Sequence, residues 1–209
     1  MTTNLDPRWL RWAQRLQAIA QDGLAYGDNV YDRERYEMIR EVAAEIYAAG
    51  SDTPLETIAG LFDQQAGYAT PKVDVRGAVF QQGRILLVQE RSDGRWTLPG
   101  GWADPGYSPS ENVAREIHEE SGYEARAVKL ALVHERARHT GLPHPFSIFK
   151  LFFICELMGG TPSASSETAA VAFFDEHDLP PLSLGRVTPS QIASLFEHVR
   201  NPGLPTEFD

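Results

Sequence analysis

Cysteine is almost absent from this chain of 209 residues. Cys155 stands alone inside an apolar run, so no disulfide can form within the sequence. Such usage suits a reducing compartment, and the cytoplasm is the expected location. Positive charge is also scarce: 19 Lys and Arg face 29 Asp and Glu, a formal net charge of −10. That balance argues against duplex DNA or an anionic membrane as a partner held by charge. It leaves open a phosphate-bearing substrate, because a bound divalent cation can supply positive charge locally. No apolar run approaches the roughly eighteen residues of a membrane span. The opening residues Met1 to Asp6 carry neither the basic stretch nor the apolar core of a secretory leader. Internal repeats and low-complexity tracts are missing too.

What is present falls into two parts. From Asp6-Pro7 onward, Trp9, Trp12, Leu16 and Ile19 recur every three or four residues, which predicts a helix ending near Gly23. A second helix is expected over about 32–49, with Tyr36, Ile39, Val42 and Ile46 on one face. A third is expected to open on a capping box, Thr53-Pro54-Leu55-Glu56. Three short helices make a thin core, so their apolar faces should meet the rest of the chain or a second copy. The joint is expected at Ala66–Pro71, giving a helical domain over 1–68 and a second domain over 69–209. Beyond it, strand-like runs lie around 73–80, 85–88, 96–98, 125–136, 146–157 and 171–174. Turns fall at Gln82-Gly83 and Ser92-Asp93-Gly94, and loops over His139–Pro145 and Gly159–Ser166. A last helix is capped by Thr188-Pro189-Ser190-Gln191. Strands alternating with helices predict a mixed α/β sandwich.

The most informative stretch runs from Gly101 to Tyr123. Ser108 fits an N-cap, Pro109 the first helical position, Glu111 the reciprocal capping partner and Gly122 a left-handed stop. Glu116, Glu119 and Glu120 lie between these caps. At about 3.6 residues per turn they share one face and repel one another. Three readings fit such a face: a solvated acidic surface, a carboxylate pair moving protons, or a site for a hard cation such as Mg²⁺ or Mn²⁺.

The same stretch resembles the Nudix box, G-x5-E-x7-R-E-U-x-E-E-x-G-U, where U is a bulky apolar residue. Gly101 matches its opening, and Arg115, Glu116, Ile117, Glu119, Glu120, Gly122 and Tyr123 match its close. One fixed position departs, since Tyr107 stands where the pattern has its first glutamate. In the family that acid mainly supports turn and helix, and Asp104 or Glu111 offers a substitute. The resemblance implies a Nudix α/β/α sandwich with a mixed sheet that hydrolyses the pyrophosphate of a nucleoside diphosphate linked to another moiety. It implies Mg²⁺ or Mn²⁺ as cofactor, with Glu116, Glu119, Glu120 and the Gly101 carbonyl as metal ligands. Glu119 or Glu167 would take the water's proton, and Arg115 would hold the glutamates in place. Asp6-Pro7-Arg8-Trp9-Leu10, Tyr31–Tyr36, Gly101–Asp104, Phe173-Phe174 and Leu179–Ser183 look like a bacterial subgroup with a helical N-terminal domain. That subgroup implies CDP-choline or ADP-ribose as substrate type and a homodimer. The rival readings are a non-catalytic ligand sensor and an enzyme acting on RNA ends.

Arg76, Arg91, Arg95 and Lys150 are each open to two readings, phosphate or base contact and ordinary surface cation. Arg76, Arg91 and Trp102 are the substrate-binding candidates, with Trp102 also able simply to pin the turn. His134, His139 and His144 recur every five residues, which matches no zinc pattern. His118 is expected exposed, and Cys155 buried as a small hydrophobe.

Overall fold

The computed structural model describes residues 7–209. The helix-opening role expected for Asp6 lies outside them. Two compact units are present: residues up to Lys72 with Gly141–Ser147, and Val73–Thr140 with Ile148–Asp209.

The first unit holds α1 (Arg8–Tyr26), α2 (Val30–Gly50) and α3 (Leu55–Asp63). Its core is built from Leu10, Ala13, Ala43, Ala44, Tyr47, Ile58 and Phe62. Gly23 does not end α1, which runs on to Tyr26. Its lack of a side chain serves packing instead, because a Cβ there would stand 2.4 Å from the Tyr36 ring. The capping box expected at Thr53 does not form. Pro54 takes the N-cap position with ψ 141°, and the Thr53 amide donates back to the Ser51 hydroxyl at 3.3 Å. Trp12 and Ile19, expected on the packed face of α1, remain about half exposed, as does Val42 of α2.

The second unit is built on a mixed seven-stranded sheet. Its strands are β1 (Lys72–Gln81), β2 (Arg84–Glu90), β3 (Trp96–Thr97), β4 (Tyr123–Glu135), β5 (Ile148–Gly160), β6 (Thr168–Phe174) and β7 (Glu207–Phe208). The order is β3-β2-β1-β5-β4-β7, with β6 also pairing β2. β7 runs parallel to β4, whereas β4–β5, β1–β2 and β2–β6 are antiparallel. Period-two alternation gives the sheet two buried faces. Val75, Val79, Leu86, Phe153 and Cys155 pack with Val113 and Ile117 of α4 (Pro109–Ser121). Ala78, Ile85, Leu87, Leu132 and Phe152 pack with Ile192, Leu195 and Phe196 of α6 (Pro189–Arg200). The result is the expected three-layer α/β/α sandwich.

Two elements are additions to the expected set. A short helix, α5 (Arg136–Thr140), follows β4, and β7 extends the sheet beyond it. Strand β5 also continues through Gly159 and Gly160, expected as loop. Gly160 pairs with Tyr123 at φ +89°, where a Cβ would press on the Gly122 carbonyl at 2.4 Å.

Candidate metal and active site

The site begins with the local structure of α4. Ser108 Oγ accepts the Glu111 amide, and Glu111 accepts the Ser108 amide at 2.8 Å, closing the expected capping box. Such a cap stabilises a helix by about 1 kcal/mol. Gly122 ends the helix at φ 74°. On the opposite bank, the segment Leu98–Ala103 is stitched to β1 by main-chain bonds. Gly77 donates to Pro99, Val75 to Gly101 and Ala103 to Val73, each at 2.9 Å. Gly100 sits at φ +141°, and a Cβ there would lie 2.0 Å from the Val75 carbonyl oxygen. Only glycine admits that approach.

Turn and helix meet through Glu120 and Glu116. Glu120 is 6% exposed, and its Oε2 accepts the Gly100 amide at 2.9 Å. Burial pushes its carboxyl up to about 7; Arg76 and the Gly100 amide oppose this, while Glu116 and Glu90 add to it. The Glu116 carboxylate lies over Gly101, where a Cβ would come within 3.0 Å of Oε2. Burial and then Glu119 raise the Glu116 carboxyl, against Arg115 and Arg76, and Glu167 adds to the rise. Crowding and desolvation thus outweigh the charges of Arg76 and Arg115 at these carboxylates.

That donor set fits a hard divalent cation. Glu116 and Glu120 offer carboxylate oxygens beside Gly101, whose carbonyl accepts the Val75 amide at 2.9 Å and keeps a second lone pair. Glu119, expected as a further ligand, lies on the same helix about half exposed, 3.7 Å from Arg115 Nε. Among the described residues, three potential metal-ligating side-chain atoms come within 4.8 Å of one another only at His134, His139 and Asp209. There the hydrogen bonding is already committed. Gln191 Oε1 accepts the Thr188 amide, so Gln191 Nε2 donates to His134 Nδ1 at 3.2 Å. His134 Nε2–H then faces Glu207 at 3.2 Å, leaving this ring no free lone pair.

Arg115 explains the irregular Tyr107. Its guanidinium donates to Asp104 and lies 5.0 Å from the Tyr107 ring centroid. It also stands 3.7 Å from a Glu116 oxygen. Asp104 therefore supplies an acid to this turn, and the Tyr107 ring lies against the cation. Glu111, the other proposed substitute, is committed to the cap.

The remaining candidates divide by exposure. Arg91 and Glu167 are exposed and adjoin, since Arg91 N donates to the Glu167 carbonyl at 2.9 Å. Trp102 is half exposed beside Gly101, with its backbone bridged to Asp74. Arg95 and His118 are exposed. Arg76 and Lys150 depart from the surface-cation reading, at 4% and 2% exposure. Both bind Asp74, which is itself buried. Arg76 Nε and Nη2 reach its two oxygens at 2.9 and 2.8 Å, and Lys150 Nζ reaches Oδ1 at 2.8 Å. Arg76 and Lys150 hold the Asp74 carboxyl below its usual range against the opposing effect of burial. Burial and then Arg76 push Lys150 down to about 8. Sequence reading passed over Asp74 and Glu90. Strand alternation was the available signal, because it puts Asp74 and Arg76 on one face. Cys155 is buried as expected, its thiol pushed up to about 12 by desolvation.

A glycine turn clasps an acidic helix on an α/β/α sandwich. The chain belongs to the Nudix family: residues 70–195 match the NUDIX domain, and the enzyme is a Nudix hydrolase. Residues 7–62 match a domain described as UDP-X-like, N-terminal oligomerisation domain. A Bacillus subtilis (strain 168) protein named "Putative ADP-ribose pyrophosphatase YjhB" is 47% identical over 202 residues, 97% of each chain. A solved UDP-X diphosphatase is 33% identical, with TM-score 0.63, over 96% of this chain and 98% of that one. An ADP-ribose pyrophosphatase from Streptococcus suis 89-1591 is 42% identical, with TM-score 0.62, over 67% of this chain and all of the other. No described helix is long and apolar enough to cross a membrane.

Proposed function

We propose that this Nudix hydrolase splits the pyrophosphate of a nucleoside diphosphate joined to a second moiety, of the ADP-ribose or UDP-X kind. Mg²⁺ or Mn²⁺ is its cofactor. The products are a nucleoside monophosphate and a phosphorylated second moiety. The observation that carries this reading is the clasp of Glu120 by the Gly100 amide, with Glu116 held over Gly101. Glu116, Glu120 and the Gly101 carbonyl would hold the cation. When bound, it supplies charge against the pyrophosphate and acidifies a water. Glu119 and Glu167 are the candidate acids to take a proton, a reading supported by their exposure and by the charge of each raising the Glu116 carboxyl. Arg115 orients the acidic face through Asp104 and Glu116. Arg91 and Trp102, exposed beside the turn and loop, are the candidates for contact with a phosphate or a base.

The helical unit is read as the dimer contact. Leu16, Met38, Ile39 and Val42 line an apolar groove, and Trp12 and Ile19 continue the exposed face of α1. An oligomerisation domain as the matching description for this segment supports that reading.

The test is a panel of ADP-ribose, a UDP-sugar, CDP-choline and a short RNA, incubated with Mn²⁺ or Mg²⁺ and with chelator. The expected result is metal-dependent release of a nucleoside monophosphate from at least one of ADP-ribose, the UDP-sugar and CDP-choline. Turnover of RNA alone would overturn the substrate class.

A further inference from the structure

The buried Asp74–Arg76–Lys150 group belongs to neither the hydrophobic core nor the acidic face of α4. All three side chains are at least nine-tenths buried, on β1 and β5. Arg76 spends its fork on two targets. Nε and Nη2 hold both oxygens of Asp74, and Nη1 donates to the Leu98 carbonyl at 3.1 Å. Leu98 is fully buried and opens the segment Leu98–Gly101, whose last two residues are the Gly100 clamp and the Gly101 carbonyl. Lys150 fixes Asp74 from the neighbouring strand, so the acid that aims Arg76 is itself held. Burial raises the Glu120 and Glu116 carboxyls, and the Arg76 charge opposes that rise at both.

We propose that Arg76 is a positioning residue for the cation site. Its guanidinium fork, aimed by Asp74 and Lys150, sets the Leu98–Gly101 turn and thereby the Gly100 amide that Glu120 accepts and the bare Gly101 backbone over which Glu116 lies. The sequence candidate for substrate contact thus acts from behind the site. The fork is the operative feature, because a lysine ammonium keeps the charge but cannot hold Asp74 bidentately and reach Leu98 together. Partners one layer behind metal ligands typically govern metal affinity or activity by about 10–100-fold. The inference rests on reading Glu116, Glu120 and Gly101 as the cation site.

The test compares the parent, Arg76→Lys, Arg76→Met and Lys150→Met, each shown to be folded by circular dichroism and melting. Mn²⁺ alone is the probe, with free ion followed by electron paramagnetic resonance. kcat and KM are then measured on whichever compound the parent turns over. Both Arg76 variants are expected to weaken Mn²⁺ binding and lower kcat roughly tenfold or more, with KM changed by less than about threefold. Lys150→Met should move both in the same direction by a smaller factor. Folded Arg76 variants that bind Mn²⁺ within about twofold of the parent would overturn the proposal. Parental behaviour restored by Arg76→Lys alone would overturn the fork assignment in favour of charge. If the Arg76 variants do not fold, folded Lys150→Met decides, and parental Mn²⁺ affinity there also overturns it. A parent that binds no Mn²⁺ would count against the proposed function, not against Arg76 specifically.

Discussion

Gly100 concentrates three demands on one residue: a left-handed φ of +141°, a backbone approach that leaves no room for Cβ, and an amide aimed at Glu120. An alanine there meets the Val75 carbonyl oxygen and an unfavourable φ at once. Gly100→Ala is expected to destabilise the fold by more than about 1 kcal/mol. It should also lower activity in molecules that remain folded. Urea denaturation with turnover measured in the native baseline checks this, and unchanged midpoint and turnover would refute it. At this scale the sequence spoke clearly where chemistry was local. Ser108, Glu111 and Gly122 took the cap positions their types predict, because each answers to backbone groups within a few residues. Thr53 carried the same kind of signal and failed, since Pro54 set an extended ψ that broke the register. The burial of Arg76 and Lys150 fitted neither of the readings open to them, for a different reason. Their shared partner Asp74 is 76 residues from Lys150, and no local pattern announces that pairing.

Among elements, β7 shows what lies beyond local reading. Two residues suffice for it because the contacts holding it are distributed. Thr206 donates to the Leu130 carbonyl at 2.8 Å, Lys129 donates to the Pro202 carbonyl, and Glu207 and Asp209 face His134 and His139. The two imidazoles stack with centroids 3.8 Å apart. Burial, and then His139, lower the His134 pKa, against the opposing charges of Glu207 and Asp209. The Gln191 amide favours the same neutral ring by donating to Nδ1. A histidine with a depressed folded pKa binds more protons when unfolded. Its contribution to stability is therefore present above the ordinary value of 6.5 and is lost as pH falls through the lower folded value. Melting temperature should fall as pH is lowered from about 7.5 to 5.5, and more steeply in the parent than in His134→Gln. Equal slopes in the two proteins would remove His134 from this account. The sequence showed β4 and α6 but not what joins them to β7, because the joining bonds span roughly the last third of the chain.

At the scale of the whole molecule, the helical unit and the sandwich differ in how much the sequence reveals of them. The sandwich was legible from alternation and from one fixed spacing, and its two buried faces follow from strand periodicity. The helices were legible as elements, while their faces were not. Trp12, Ile19 and Val42 satisfy helical periodicity yet stay exposed, and Ala13, Ala20, Ala43 and Ala44 make part of the close packing. An apolar face that its own unit does not cover calls for another surface. The proposed dimer predicts a dimer-sized species in sedimentation at micromolar concentration, with Val42→Glu shifting it to monomer. A parent that sediments only as monomer would contradict it.

The central claim is that Glu116 and Glu120, gathered by the glycine turn, form the cation site that performs the hydrolysis. Glu120→Gln keeps the shape of the side chain, leaves an oxygen able to accept the Gly100 amide and removes one charge. Turnover of the parent's best compound at saturating Mn²⁺ is the measurement. The account predicts a folded Glu120→Gln protein with kcat reduced by roughly 100-fold or more. A folded variant that turns over at the parental rate would contradict it.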